Sequence, residues 1–115
     1  MRAGPTDVAA AAHVAADRAA VRHLLACTDL WARCWPGLVL DVTEDRGLKG
    51  VRWTVGGRLV GTAEVWLEPW RDTCVAHVYL RPDGPPSRRT ARALRTYGER
   101  TRALLFWAKD RLEQR

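Results

Sequence analysis

Between Ser87 and Glu113, small or apolar residues return at alternating steps of three and four: Ala91, Leu94, Gly98, Thr101, Leu105, Ala108 and Leu112. That spacing lines up one face of an α-helix. The opposite stripe, Arg92, Arg95, Glu99, Arg102, Phe106, Lys109 and Glu113, is mostly charged. Pro85 and Pro86 end the preceding segment, and Ser87 is suited to cap the helix. One long amphipathic helix is predicted, packed on something flat.

Upstream the period changes to two. Leu38, Leu40 and Val42 alternate with other residues, as do Val51, Trp53 and Val55, and Gly56-Gly57 then reads as a two-residue hairpin turn. Residues 58–68 and 73–81 form two further extended segments, joined by Pro69-Trp70-Arg71-Asp72, with Glu44 to Lys49 as the first turn of the series. Consecutive hairpins predict an antiparallel meander. Asp17 to Ala26 has a helical pattern opened by a capping aspartate, and Asp29 to Cys34 reads as a second short helix stopped by Pro36 and Gly37. Residues 7–14 read two ways: their alanines favour helix, while their position suggests a first strand. With no internal repeat and no Ser/Gly linker, residues 1–115 are expected to form a single domain sharing one core.

Composition adds one unusual feature and several exclusions. Six tryptophans stand against two tyrosines and one phenylalanine, and five of the six lie between Trp31 and Trp70. Such a cluster suits either a heavy small core or the wall of an aromatic pocket. No apolar run approaches the roughly 18 residues of a membrane helix. The alanine run after Asp7 lacks the leucine-rich character of a secretory signal, so a cytoplasmic location is expected. Cys27, Cys34 and Cys74 are odd in number without C-x-x-C spacing, and His23 with Cys27 is an incomplete ligand set. Neither a disulfide framework nor a metal site is expected, and no cofactor.

Net charge is +6, and it is unevenly placed. Residues 1–86 hold ten basic and ten acidic side chains, whereas residues 87–115 hold nine against three. A basic helix can serve as an interaction module for nucleic acid or an acidic membrane. Here Phe106, Glu99 and Glu113 interrupt the stripe, which favours a solvated outer face and no nucleic-acid partner. Phe106 beside Trp107 also marks a patch for a homodimer.

The order strand, two short helices, meander and long helix resembles the helix-grip fold of the START/Bet v 1-like (SRPBCC) superfamily, in its bacterial polyketide cyclase/dehydrase-like branch. The stretch AADRAAVRHLLACTDLWARCWPGL resembles the first strand end and helix pair. VRWTVGGRLVGTAEVWLEPW and RALLFWAKDRLE resemble strands and helix of actinobacterial members. The fold class implied is α+β, with a sheet one or two strands short of a full member. The resemblance implies binding of an apolar small molecule, lipid- or polyketide-like, between sheet and helix. A cyclase or dehydrase activity is the alternative.

Pairing the hairpins assigns faces. With Val55 opposite Arg58 and Glu68 opposite Thr73, one face carries Val51, Trp53, Thr62, Glu64, Trp66, Val75, His77 and Tyr79. The other carries Arg52, Thr54, Ala63, Val65, Leu67, Cys74, Ala76, Val78 and Leu80. The first two strands place the tryptophan face inside, because Arg52 and Thr54 are costly in a core. The last two strands place their plainer apolar residues inside, and a bulge near Gly61 would reconcile them. Taking the tryptophan face as inner, Trp53, Thr62, Trp66 and Tyr79 with Leu94, Gly98, Thr101 and Leu105 of the helix are the expected ligand-binding residues. Glu64 opposite His77 is then the candidate acid–base pair.

Overall fold

The computed structural model describes residues 5–85 and 87–114. Its elements run β1 (Val8–Val14), α1 (Arg18–Leu25), α2 (Thr28–Cys34), β2 (Leu38–Asp45), β3 (Gly50–Gly57), β4 (Gly61–Trp70), β5 (Thr73–Pro82) and α3 (Arg88–Glu113). The strands form one antiparallel five-stranded sheet in the order β1-β5-β4-β3-β2, with α3 packed on β1 and touching α1 and α2. This is the α+β helix-grip arrangement expected from the order of elements.

The alanine run resolves as a strand. Residues with high helix propensity are held extended because β1 pairs along its whole length with β5, from Val8 opposite Leu80 to Val14 opposite Cys74. Tertiary pairing overrides local preference here. Asp17 does precede α1, yet its side chain makes no capping hydrogen bond. Ser87 does cap α3, its hydroxyl accepting from the Thr90 N–H at 3.1 Å.

The β3–β4 and β4–β5 hairpin registers differ from those the sequence suggests. Val55 lies opposite Gly61 rather than Arg58, so the chain crosses through a longer loop, Gly56 to Val60, instead of a two-residue turn. The cause is steric. Gly57 has φ +90°, and a Cβ there would sit 2.3 Å from the Gly37 carbonyl oxygen; the same oxygen accepts from the Arg58 N–H at 3.0 Å. Gly57 is thus still paired with β2, and the turn must come after it. Trp70 lies opposite Thr73 in the next hairpin, with Arg71 at φ +56° in the tight turn.

The first change is an odd number of residues and reverses the face of everything downstream; the second is even and does not. Val51, Trp53, Val55, Ala63, Val65, Leu67, Cys74, Ala76, Val78 and Leu80 therefore all point inward and are buried. Thr62, Glu64, Trp66, His77 and Tyr79 point outward with Arg52 and Thr54. The expectation that the tryptophan face is inner holds on β3 and fails on β4 and β5.

Candidate functional site

Three tryptophans fill the space between sheet and helices. Trp31, Trp35 and Trp53 are fully buried, and the first two have ring centroids 5.0 Å apart. Each indole N–H is satisfied by protein. Trp31 donates to the Leu25 carbonyl (2.6 Å), Trp53 to the Thr28 hydroxyl (2.9 Å) and Trp35 to the Thr101 hydroxyl (2.9 Å). Thr101 in turn donates to the Tyr97 carbonyl at 2.7 Å. Trp53 and Thr101, both expected to meet a ligand, have their polar atoms engaged in the scaffold instead.

Open space lies at the seam where β1 meets α3. A groove of about 380 Å3 is lined by Val8, Ala9, Leu94 and Gly98, with Asp7, Arg95, Glu99 and Arg102 at its rim. A smaller hollow of about 130 Å3 continues along Ala9–Ala12 to Leu105 and Phe106. Gly98 and Ala9–Ala12, which carry no side chain or only a methyl group, keep this seam open between the larger residues of α3. A Cβ at Gly98 would meet only the Arg102 guanidinium, 3.3 Å away, and the Val8 side chain. Leu94, Gly98 and Leu105 are thus brought together as expected, while Val8, Ala9, Arg95 and Arg102 were not anticipated. The signal for them was the alanine run, had it been read as a thin-walled strand.

The chain's overall architecture is shared with a solved protein. The solution structure of the Aha1 dimer from Colwellia psychrerythraea superposes with a TM-score of 0.69 over 95% of this chain and 97% of that one. The two are 14% identical, so the likeness is one of fold. No protein-family model matches the chain, and no curated protein is similar to it in sequence.

A second groove, of about 360 Å3, lies between α2 and α3 along Leu30, Cys34, Ala103 and Leu104, flanked by Arg33 and Arg100. Arg100 is committed to the helix end, donating to the Cys34 carbonyl (2.6 Å) and the Arg33 carbonyl (3.3 Å). Burial pushes the Cys34 thiol up to about 11 against the pull of Arg100, and burial raises the Cys74 thiol as well. Both are held as neutral thiols, unsuited to nucleophilic work at neutral pH.

The remaining candidates sit on the outer face of the sheet. Glu64 lies opposite Tyr79, not His77, and His77 lies opposite Trp66. The Glu64 carboxylate accepts from Arg46 (2.9 Å) and Arg52 (3.0 Å), whereas His77 Nε2 meets Glu68 at 3.1 Å. Glu64 and His77 therefore have separate partners and do not form the expected pair. Trp66 stacks on His77 at 4.5 Å, His77 stacks on Tyr79 at 6.2 Å, and the Arg81 guanidinium covers Tyr79 at 4.3 Å. The rings stand in a row and use their faces on one another. Thr62, next to this row, is exposed. Among the described residues no cluster of His, Cys, Asp or Glu is placed to hold a metal ion, and no helix is long and apolar enough to cross a membrane.

Proposed function

We propose that this protein binds a hydrophobic small molecule in the seam between β1 and α3. The observation that carries the reading is the groove of about 380 Å3, whose size falls in the roughly 300–1,000 Å3 range of small-molecule sites. Its floor of Val8, Ala9, Leu94 and Gly98 suits an apolar body, and its rim of Asp7, Arg95, Glu99 and Arg102, two acids against two bases, suits a polar end. The hollow along Ala9–Ala12 extends it for an elongated ligand, lipid- or polyketide-like in the terms of the superfamily resemblance.

The test is titration of the anionic lipophilic dye 8-anilinonaphthalene-1-sulfonate, monitored by its fluorescence. Filling the groove with Gly98→Leu is expected to weaken binding about tenfold, a loss of about 1.4 kcal/mol. Ala103→Leu, in the α2–α3 groove, is expected to leave it unchanged. Equal dye binding by a correctly folded Gly98→Leu protein refutes the site.

Self-association into a homodimer is a second property we infer. Phe106 is 64% exposed and Trp107 46%, adjacent on α3, and the similar Colwellia psychrerythraea structure is described as a dimer. Light scattering on the purified protein tests it directly.

A further inference from the structure

The groove and the hollow of the β1–α3 seam are two compartments of one cleft, and they share Ala9 and Arg102 as lining residues. Strand and helix run the same way along it. Val8 lies beside Gly98, the His13 carbonyl accepts from Lys109 Nζ (2.7 Å), and the Ala15 N–H donates to the Glu113 carboxylate (2.7 Å). The last two bonds close the far end of the cleft. By the helical rise, the groove follows α3 for about 12 Å from Leu94 to Arg102, and the hollow continues for about 6 Å to Phe106.

Arg102 stands at the junction. Its guanidinium lies 3.3 Å from where a Cβ of Gly98 would be, so the missing side chain leaves room for it there. Other bases of the same helix are tied to backbone carbonyls, Arg100 to those of Cys34 and Arg33 and Lys109 to that of His13. Among the described residues Arg102 makes no ion pair, and swinging it aside breaks none. Volume over length gives a cross-section of roughly 30 Å2 in the groove and roughly 20 Å2 in the hollow. The narrower figure admits one methylene chain and excludes a fused ring system. Beyond Arg102 the lining is Ala9–Ala12, Leu105 and Phe106, all apolar, whereas Asp7, Arg95 and Glu99 stand at the groove end.

We propose that the ligand is a single-chain amphiphile, its polar end at Asp7, Arg95 and Glu99 and its chain directed towards Phe106, and that Arg102 determines the chain length accepted. Resting over Gly98, Arg102 bounds a groove of about 12 Å; swung aside, it opens the full cleft of about 18 Å. The proposal rests on the reading that the seam is a binding site, and it names the class of ligand and the residue that selects among its members.

Displacement of 8-anilinonaphthalene-1-sulfonate by octanoate and by myristate tests it. Octanoate fits the groove alone, whereas myristate needs the hollow as well. The ratio of the two affinities is the readout, because any head-group effect of a substitution is common to both and cancels. Arg102→Ala is expected to raise the preference for myristate about tenfold over the parent, the effect of burying about two further methylenes. Ala10→Leu, at a half-buried position on the wall of the hollow, is expected to lower it by about the same factor. Arg95→Ala, at the rim, should leave the ratio unchanged. Cholate, a fused-ring carboxylate, should bind the parent at least about tenfold more weakly than myristate. An unchanged ratio in a folded Arg102→Ala protein overturns length selection by Arg102, and an unchanged ratio in Ala10→Leu overturns the path of the chain. Cholate binding as tight as that of myristate overturns the single-chain class. Each of these leaves the seam site standing, whereas a parent protein that binds neither the dye nor either fatty carboxylate overturns the site and this proposal with it.

Discussion

Replacing Thr101 by valine tests whether the space between sheet and helix is scaffold or site. Thr101 is completely buried, and its hydroxyl accepts the Trp35 N–H and donates to the Tyr97 carbonyl. Valine has nearly the same volume and a similar helix propensity, so no cavity opens and the helix is not otherwise weakened. The Tyr97 carbonyl sits inside α3 and keeps its helical partner, whereas the buried Trp35 N–H is left with none. The expected loss is that of one orphaned buried donor, about 1–3 kcal/mol. For a domain of this length that lowers the melting temperature by about 4–12 °C. Urea unfolding monitored by far-UV circular dichroism measures it, with the dependence on denaturant unchanged. Trp35→Phe removes the donor itself. The double variant should therefore be about 1–2 kcal/mol less destabilised than the sum of the two singles. A Thr101→Val protein within about 0.5 kcal/mol of the parent, or an additive cycle, refutes the account.

Three further outcomes are expected. At Gly50, where φ is +118° and a Cβ would lie 1.9 Å from the Val65 carbonyl oxygen, alanine should cost about 3 kcal/mol or more. At Gly98 the nearest obstacle is the movable end of Arg102, and alanine should stabilise by up to about 1 kcal/mol; thermal melts of the two variants separate these cases. The third concerns pH. The Cys34 thiol, raised by burial from 9.0 to about 11, binds its proton more tightly folded than unfolded. Its contribution is whole below pH 9.0 and is lost as pH rises towards 11, so the parent should lose stability more steeply across that window than Cys34→Ala. A parallel pair of pH profiles refutes this.

How much of this was legible beforehand depends on the range over which each feature is decided. The long helix was readable because its period is local: Ala91, Leu94, Thr101 and Leu105 are all buried, and Phe106 is exposed, as their spacing requires. The helix pair, the meander and the cap at Ser87 were equally local. The inner face of β4 and β5 was not. It turned on whether the chain reverses at Gly56-Gly57 or a few residues later, and that was settled by Gly37, a residue of the preceding loop that sits against Gly57. Strand periodicity carries no memory across a turn, so an odd error there reverses every later side chain.

The candidate site divides along the same line. Leu94, Gly98 and Leu105 were found because helix periodicity alone puts them on the packed face. Thr62, Glu64, Trp66, His77 and Tyr79 were assigned to that interior by an incorrect hairpin register. Val8 and Ala9 were overlooked because an alanine run says helix until a partner strand holds it extended. The sequence by itself determined the order of elements, the buried stripe of α3 and the outward position of its charge. Only the tertiary structure decided which sheet face meets that stripe, that Trp53 is core while Trp66 is not, and that open space is left along β1. Those features depend on contacts between residues far apart in the chain, which periodicity cannot report.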